Sequence, residues 1–367
     1  MMLERLKVNN FRAFKSLELP NLKRINLISG KNNAGKTGLL EAVYLHVSNF
    51  SNDALFNILN DREEFFSRTI SRDNLTPLKH FYFGHKITED MPPLSLESNV
   101  DKQTLGVGFS YTSKEDDKLT KQHATIDISD IDTYRNSENE LISVLCLSKK
   151  NGVKELAPLF DDGSLSRNLR RKLNFSKDYT PVHLVPSGGI SHLKIAEMWD
   201  RISLTNMENH VVEGLRIIEP RITGVSFVQS EAGLSRRVAM VKLSHLDEPV
   251  TLRSLGDGMT RIFHIILSLV NSENGTLLID EFENGLHWSI QNAIWKVIFE
   301  LSDKHNIQVI ATSHSNDCIA SFRTNWLNHV ECGMFYRIEN NLNGTIHAVG
   351  YGVEDLDDSL SFEIEVR

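Results

Sequence analysis

Residues 30–37 constrain this chain more than any other segment, because they read Gly-Lys-Asn-Asn-Ala-Gly-Lys-Thr and match the spacing G-x-x-x-x-G-K-[ST]. The apolar run at residues 25–28 predicts a buried strand before this segment. Four large residues at helical spacing predict a helix over residues 36–48 after it. A strand, a glycine-containing loop and a helix in this order form the setting in which backbone N–H groups surround phosphate. The sequence therefore predicts an α/β fold with a phosphate loop.

Each residue type in this loop has a physical role. Gly30 and Gly35 permit the backbone bends that turn several N–H groups inward. Lys36 places a positive charge on the β and γ phosphates, and the Thr37 hydroxyl is suited to bind Mg²⁺. The predicted nucleotide-binding residues are Gly30, Lys31, Asn32, Asn33, Ala34, Gly35, Lys36 and Thr37.

A second chemical segment follows roughly 240 residues later, where the apolar run 277–279 ends in Asp280 and Glu281. Asp280 fits the acid that holds magnesium in phosphate-loop ATPases, and Glu281 fits a general base that orients water. An apolar strand that ends in two acids is also typical of a solvated strand end. Its pairing with a phosphate loop favours the catalytic interpretation, in which both ends of the chain form one site.

Two further segments fit the same site. His314 follows the apolar residues 309–310, and a strand end beside Asp280 would place its imidazole at the γ phosphate. A single histidine is more often structural, and a Ser-His-Asp hydrolase is not supported because no G-x-S-x-G elbow is present. Gly256 and Gly258 open another predicted helix, whose bare N-terminus can bind an anion. They could act on the ATP of another copy, or form an ordinary glycine loop.

Bulk composition excludes several classes of protein. The 367 residues carry a formal net charge of −8, which does not support a surface that coats nucleic acid, although a local basic groove stays possible. Three cysteines without a C-x-x-C pair suggest neither a disulfide framework nor a zinc finger. Neither a leader nor a long apolar span is recognisable, so we expect a cytoplasmic protein without a membrane partner. The basic residues 167–177 fit a solvated helix face, or a contact with nucleic acid or a partner.

The pattern along the chain predicts three parts: residues 1–50 with the phosphate loop, an inserted lobe at 51–180, and residues 181–367 with the remaining motifs. Alternation predicts an N-terminal hairpin that turns at Asn9-Asn10. Helical spacing predicts one long helix over residues 191–218. Strands that alternate with helices in the last third indicate a parallel sheet with its functional loops at the carboxyl ends of the strands.

These segments, in this order, resemble the ABC-type ATPase heads of the SMC, RecF and OLD proteins. The resemblance rests on LKVNNFRAFKSLEL, INLISGKNNAGKTGLLEAV, LGDGMTRIFHIILSLV, LLIDEFENGLH and VIATSHS. It implies an α/β ABC-ATPase head with a mixed N-terminal sheet, a parallel phosphate-loop sheet and an inserted α+β lobe. ATP would be hydrolysed with Mg²⁺ held by Thr37 and Asp280. The implied roles are Lys36 on triphosphate, Asp280 as Walker B acid, Glu281 as base, His314 as switch, Gly256 and Gly258 on a partner's γ phosphate, Asn284 and Gly285 in the D-loop, and Arg12 near the nucleotide.

The chain departs from these families in three ways. Residues 255–259 read Leu-Gly-Asp-Gly-Met where transporters carry L-S-G-G-Q, which puts Asp257 close to a phosphate site, and no Q-loop glutamine can be assigned. OLD nucleases continue into a Toprim domain, whereas about fifty residues follow His314, too few for another full domain. We therefore expect a homodimer or higher oligomer, closed by ATP, that controls a separate effector protein (a nuclease or toxin) in antiphage defence. The alternatives are a RecF-type ATPase that binds DNA, an ATP-binding scaffold without turnover, and a transporter subunit.

Overall fold

The computed structural model describes residues 2–64, 77–87, 91–115, 118–120, 140–149, 152–158, 180–229, 237–341 and 345–361. The strands are β1 Leu6–Phe11, β2 Phe14–Leu19, β3 Ile25–Gly30, β4 Leu94–Ser98, β5 Lys102–Glu115, β6 Lys118–Thr120, β7 Glu140–Lys149, β8 Gly152–Pro158, β9 Val182–Val185, β10 Ile222–Gln229, β11 Arg237–Leu243, β12 Val250–Thr251, β13 Thr276–Ile279, β14 Gln308–Thr312, β15 Gly333–Asn340 and β16 Ile346–Tyr351. The α-helices are α1 Lys36–Val47, α2 Asn52–Asp61, α3 His192–Ile202, α4 Asn206–Leu215, α5 Asp257–Asn271, α6 Trp288–Lys304, α7 Asn316–Trp326 and α8 Val353–Ser361.

One sheet combines strands from both ends of the sequence. Its order is β16-β15-β3-β14-β13-β9, and all pairings are parallel except that of the edge strand β16. Every residue of β3, β13 and β14 is buried, which explains why these strands read as continuous apolar runs. Because parallel strands end at the same edge, Gly30, Ile279 and Thr312 lie side by side there. The functional segments that follow each strand are brought together at this edge.

A second sheet has the order β2-β1-β4-β5-β7-β8, with β6 on β5. Its described pairings are all antiparallel, as expected for strands joined by hairpins, whereas the resemblance implied a mixed N-terminal sheet. Leu6 of the N-terminal hairpin pairs with Ser98, so strands of the middle segment extend the N-terminal sheet. The division at residues 50 and 180 stays a prediction. A small third sheet, β10-β11-β12, completes the described strands.

Helix α1 lies between the two large sheets and contacts strands of both. Ten of its twelve residues are buried, so the phosphate-loop helix is embedded in the core. On the other face of the parallel sheet, Phe282 stacks on Trp295 of α6 with ring centroids 4.3 Å apart. The segment after β13 is therefore anchored by large aromatic side chains. No helix within the described ranges is both long and apolar enough to cross a membrane.

Two local predictions were wrong. The N-terminal hairpin turns at Arg12-Ala13, because the buried Phe11 and Phe14 pair across the strands and keep Asn9-Asn10 inside β1. The single helix over residues 191–218 is two helices, α3 and α4, which are separated where Leu204 takes a left-handed φ of 64°. Residues 124–128, whose pattern predicts a strand, and residues 343–344, which predict a turn, lie outside the described residues, as do the basic residues 167–177.

Candidate nucleotide site

The phosphate loop adopts backbone conformations that few residue types tolerate. Asn33 has a φ of 63° and Gly35 a φ of 91°, both in the left-handed region. A Cβ on Gly30 would lie 2.5 Å from the Ile338 carbonyl oxygen, so only glycine fits there. A cavity of about 460 Å³ is lined by residues of the loop and by Asp280 and Glu281. The structure thus brings the two distant acids to the phosphate loop, as the sequence predicted.

The Lys36 ammonium group is held inside its own loop. Its Nζ donates hydrogen bonds to the carbonyl oxygens of Gly30 at 2.6 Å and Lys31 at 3.0 Å. Burial lowers the pKa of Lys36, while the nearby carboxylates, with Asp280 first, act in the opposite direction. An anion in the cavity would supply the opposite charge that these neutral carbonyls lack. The geometry therefore suits Lys36 to bind phosphate.

A short chain of hydrogen bonds joins the phosphate loop to β13 and β14. Thr37 Oγ1 donates to Asp280 Oδ2 at 2.9 Å, and Thr312 Oγ1 donates to Asp280 Oδ1 at 2.7 Å. Asp280 is 5% exposed, so this carboxylate lies in a largely water-excluded place. Within the described residues, no group of three His, Cys, Asp or Glu side chains could hold a metal. A hydroxyl and one carboxylate nevertheless fit Mg²⁺, which commonly takes its other ligands from phosphates and water.

Glu281 follows Asp280 in a strained backbone conformation. Its φ is 48°, a left-handed value that costs a non-glycine residue about 1 kcal/mol or more. The Glu281 N–H donates to Thr312 Oγ1 at 2.9 Å. Its carbonyl oxygen accepts from Arg261 Nη2, also at 2.9 Å. The residue lines the phosphate-loop cavity, where a carboxylate can accept a proton from water.

The structure pairs His314 with Glu283, a residue that sequence reasoning missed. Glu283 Oε1 accepts a hydrogen bond from the His314 backbone N–H at 2.8 Å and lies 2.9 Å from His314 Nδ1. A proton on Nδ1 in this pair leaves Nε2 of a neutral ring as the acceptor. His314 is not among the residues that line the phosphate-loop cavity. The clue in the sequence was the third acid after β13, two residues beyond Glu281.

Arg12 lines the phosphate-loop cavity but is already engaged with acids. Its Nε lies 2.9 Å from Glu41 Oε2 and its Nη1 lies 2.5 Å from Glu64 Oε1, while Glu41 also pairs with Arg62. Burial raises the pKa of Glu41, and the two arginines oppose that shift. Arg12 Nη2 is buried without a hydrogen-bond partner in the described part of the chain. This cluster ties the N-terminal hairpin to α1, and sequence reasoning found only its first member.

Gly256 and Gly258 lie elsewhere, at the start of α5. Gly256 has a φ of 99° and forms the N-cap, and a Cβ on Gly258 would lie 3.1 Å from the Gly285 carbonyl oxygen. Neither glycine lines the cavity at the phosphate loop. The predicted signature and D-loop segments are thus neighbours, close to a separate cavity of about 390 Å³ lined in part by Asp257, Asn284 and Gly285.

Comparison with known proteins identifies the architecture. Residues 25–319 match the profile of a family described as "AAA domain, putative AbiEii toxin, Type IV TA system". An "ATP/GTP phosphatase" of Helicobacter pylori is 23% identical over 336 residues, which cover 87% of this chain and 86% of the relative. A "DNA replication and repair protein RecF" of Nitrosococcus oceani is 47% identical over 45 residues, which cover 12% of each chain.

A solved structure supports the same fold. It is described as an SMC head bound to the C-winged helix domain of ScpA. The two chains superpose with a TM-score of 0.51 at 12% identity, over 96% of this chain and 99% of the other. The predicted fold class and the predicted resemblance to the SMC, RecF and OLD group are confirmed.

Proposed function

This chain belongs to that AAA domain family and is an ATPase, and from this premise we propose that its two distant segments form one hydrolytic site. The observation that carries the proposal is the hydrogen-bond chain Thr37–Asp280–Thr312, which joins the phosphate loop to the strand ends β13 and β14. Three segments that are separated in the sequence meet at one buried carboxylate, and this supports a shared role for them in the site.

In the proposed mechanism each side chain acts on a different part of the substrate. The loop N–H groups and Lys36 bind the phosphates. Thr37 and Asp280 would hold Mg²⁺, which when bound neutralises charge on the phosphate oxygens. Glu281 orients the attacking water and accepts its proton. His314, held by Glu283 at Nδ1, would donate a hydrogen bond from Nε2 to the γ phosphate when both ring nitrogens carry a proton and the strand ends close on the nucleotide.

We further propose that two copies close around ATP. Support comes from the position of Gly256 and Gly258, which lie at a helix N-terminus away from the phosphate loop of their own chain. Such an N-terminus has unpaired N–H groups that favour an anion. In a two-copy arrangement each helix would face the γ phosphate held by the other copy. Asp257 in the first turn weakens this attraction, so we expect slow turnover.

The biological role that we propose is control of a separate effector protein in antiphage defence. The family description names a toxin–antitoxin system, and an SMC head of the same fold has been solved with a separate protein bound. ATP closure and slow hydrolysis would time the release of the effector. Plaque assays on cells that carry this chain with its neighbouring genes test the role. Equal plating with wild type and with a Glu281→Gln variant would contradict it.

Hydrolysis itself is tested with Glu281→Gln. This variant should retain ATP affinity and lose at least about 100-fold in kcat, because an amide cannot accept the proton. Glu18→Gln, at an exposed position of β2, is the matched control and should behave as wild type. Light scattering of the Glu281→Gln variant with and without ATP tests closure, and a mass that does not change with ATP would contradict the proposed dimer. Wild-type turnover in Glu281→Gln would exclude the base assignment.

The second candidate function is a DNA-binding ATPase of the RecF type. The 45-residue match to RecF favours it, although that match covers only a small part of either chain. Gel-shift titrations with duplex DNA distinguish the two proposals. Binding that strengthens with ATP and is lost when the basic residues 167–177 are neutralised would support this second function. Absence of DNA binding at moderate salt would contradict the RecF-type function and favour the control of a separate effector.

A further inference from the structure

Arg261 occupies an unusual position for a charged side chain. It lies in α5, three residues after Gly258, and is 5% exposed. Its Nη1 donates to the Pro186 carbonyl oxygen at 2.6 Å, and its Nη2 donates to the Asp280 carbonyl oxygen at 2.6 Å and to that of Glu281 at 2.9 Å. One guanidinium group therefore binds three main-chain carbonyls just past the ends of the neighbouring strands β9 and β13.

These contacts reach Glu281, a residue of the site whose backbone is strained. Glu281 has its N–H bound by Thr312 Oγ1 and its carbonyl bound by Arg261. Side chains from β14 and α5 thus hold both polar main-chain groups of one residue whose φ is 48°. A left-handed non-glycine conformation persists only where its surroundings determine it strongly. Without one of these contacts, the Glu281 backbone would be free to relax toward an ordinary φ.

The contacts come with an energetic penalty. Burial lowers the pKa of Arg261 to about 10, against the opposing effect of the carboxylates of Asp280, Glu283 and Glu281. Arg261 Nε is buried and has no hydrogen-bond partner in the described residues. A buried cation with an unpaired donor is an inefficient way to stabilise a fold. The guanidinium group is a planar fork that can bind several carbonyls at once, and no other side chain has this geometry.

We propose that Arg261 is a positioning residue for hydrolysis: it fixes the main chain of Glu281 so that the carboxylate faces the phosphate-loop cavity. This inference rests on the proposed role of Glu281 as the base. Arg261 itself need not touch the nucleotide, since its hydrogen bonds all go to main-chain carbonyls. Loss of its fork displaces the base and leaves the phosphate-binding residues in place.

Two substitutions test this role. Arg261→Lys keeps the charge but cannot reach three carbonyls, and Arg261→Gln removes the charge. Both should bind ATP within about twofold of wild type and lose about 10- to 100-fold in kcat, the loss expected when a catalytic group moves by about 1 Å. The Lys variant should retain more activity than the Gln variant. Arg253→Lys, an exposed cation in the turn before α5, is the control and should match wild type.

Parallel measurements of kcat, ATP affinity by titration of a fluorescent analogue, and thermal unfolding separate the outcomes. A Lys variant with wild-type kcat overturns the inference. So does a loss of ATP affinity in proportion to kcat, because that result marks Arg261 as merely structural. If the Gln variant does not fold, the Lys variant decides alone. A Glu281→Gln enzyme that turns over normally overturns the proposed function and this inference together, whereas Glu281-dependent turnover that ignores Arg261 overturns the inference only.

Discussion

Thr312 offers the sharpest test of how the site is held together, through the substitution Thr312→Val. The side chain is fully buried, and valine has nearly the same shape but no hydroxyl. The change leaves two groups without their partner, the Glu281 N–H and Asp280 Oδ1. Each buried unsatisfied group costs about 1–3 kcal/mol, so the free energy of unfolding should fall by about 2–6 kcal/mol.

The assay is urea unfolding, followed by steady-state ATP hydrolysis on the folded variant. Thr312→Ser keeps the hydroxyl and should lose only about 1 kcal/mol for the missing methyl group. Thr324→Val, at an exposed position of α7, should change the free energy of unfolding by less than about 0.5 kcal/mol. We also expect kcat of Thr312→Val to fall by about tenfold, because the Glu281 main chain loses one of its two anchors. A Val variant as stable as the Ser variant would refute the reasoning.

The remaining predictions concern single side chains. Lys36→Ala should weaken ATP binding by at least about 100-fold, because the loop loses a buried positive charge beside the cavity that would receive the phosphates. Glu283→Gln should lower kcat by about tenfold with little change in ATP affinity, and should add nothing to the loss caused by His314→Ala, since the two residues act as a pair. Burial lowers the pKa of His264 from 6.5 to about 4. Below pH 6.5 the unfolded chain therefore binds a proton at His264 that the folded chain does not bind, and the free energy of unfolding falls as the pH drops from 6.5 toward 4. Between pH 7 and pH 5, the free energy of unfolding of His264→Gln should fall by about 2 kcal/mol less than that of wild type.

Each of these predictions has a control and a contrary result. Lys15→Ala removes an exposed lysine and should leave binding unchanged, while ATP binding retained by Lys36→Ala would exclude the phosphate-loop assignment. Asp317→Asn removes an exposed acid close to His314 and should leave kcat unchanged. If the loss of kcat in the double variant equals the product of the losses in Glu283→Gln and His314→Ala, the two residues act separately. A wild-type protein equally stable at pH 5 and pH 7 would contradict the prediction for His264.

The sequence predicted those parts of the site that depend on short, continuous segments of the chain. The phosphate loop has fixed spacing, and buried parallel strands leave apolar runs, so β3, β13 and β14 and the residues after them were recognisable. Parallel strands end at one edge, and this rule alone brought Asp280 to the phosphate loop. The same rule places His314 at this edge, because His314 follows β14, which pairs in parallel with both β3 and β13.

The missed features depend on side chains that meet across the fold. Arg12 finds Glu64, which lies 52 residues away, and Arg261 binds carbonyls 19, 20 and 75 residues away. Contacts between residues so far apart in the chain leave no short sequence pattern by which they could be predicted. The two misplaced boundaries have a related cause. Buried aromatic pairing at Phe11 overrode the turn propensity of two asparagines, and the break at Leu204 carries neither glycine nor proline to mark it.

The central place of β3 in its sheet also has a consequence for how the protein is made. Both neighbours of β3, β14 and β15, belong to the last fifth of the chain, and Gln308 closes two hydrogen bonds with the main chain of Leu3 across 305 positions. A ribosome that adds 5–20 residues per second needs about 15–60 s to cover that distance. For this interval the strand that leads into the phosphate loop has left the exit tunnel without its partners. Nascent chains stalled before Gln308 should therefore be sensitive to protease and bound by chaperones, and nucleotide cannot assist folding until translation is nearly finished.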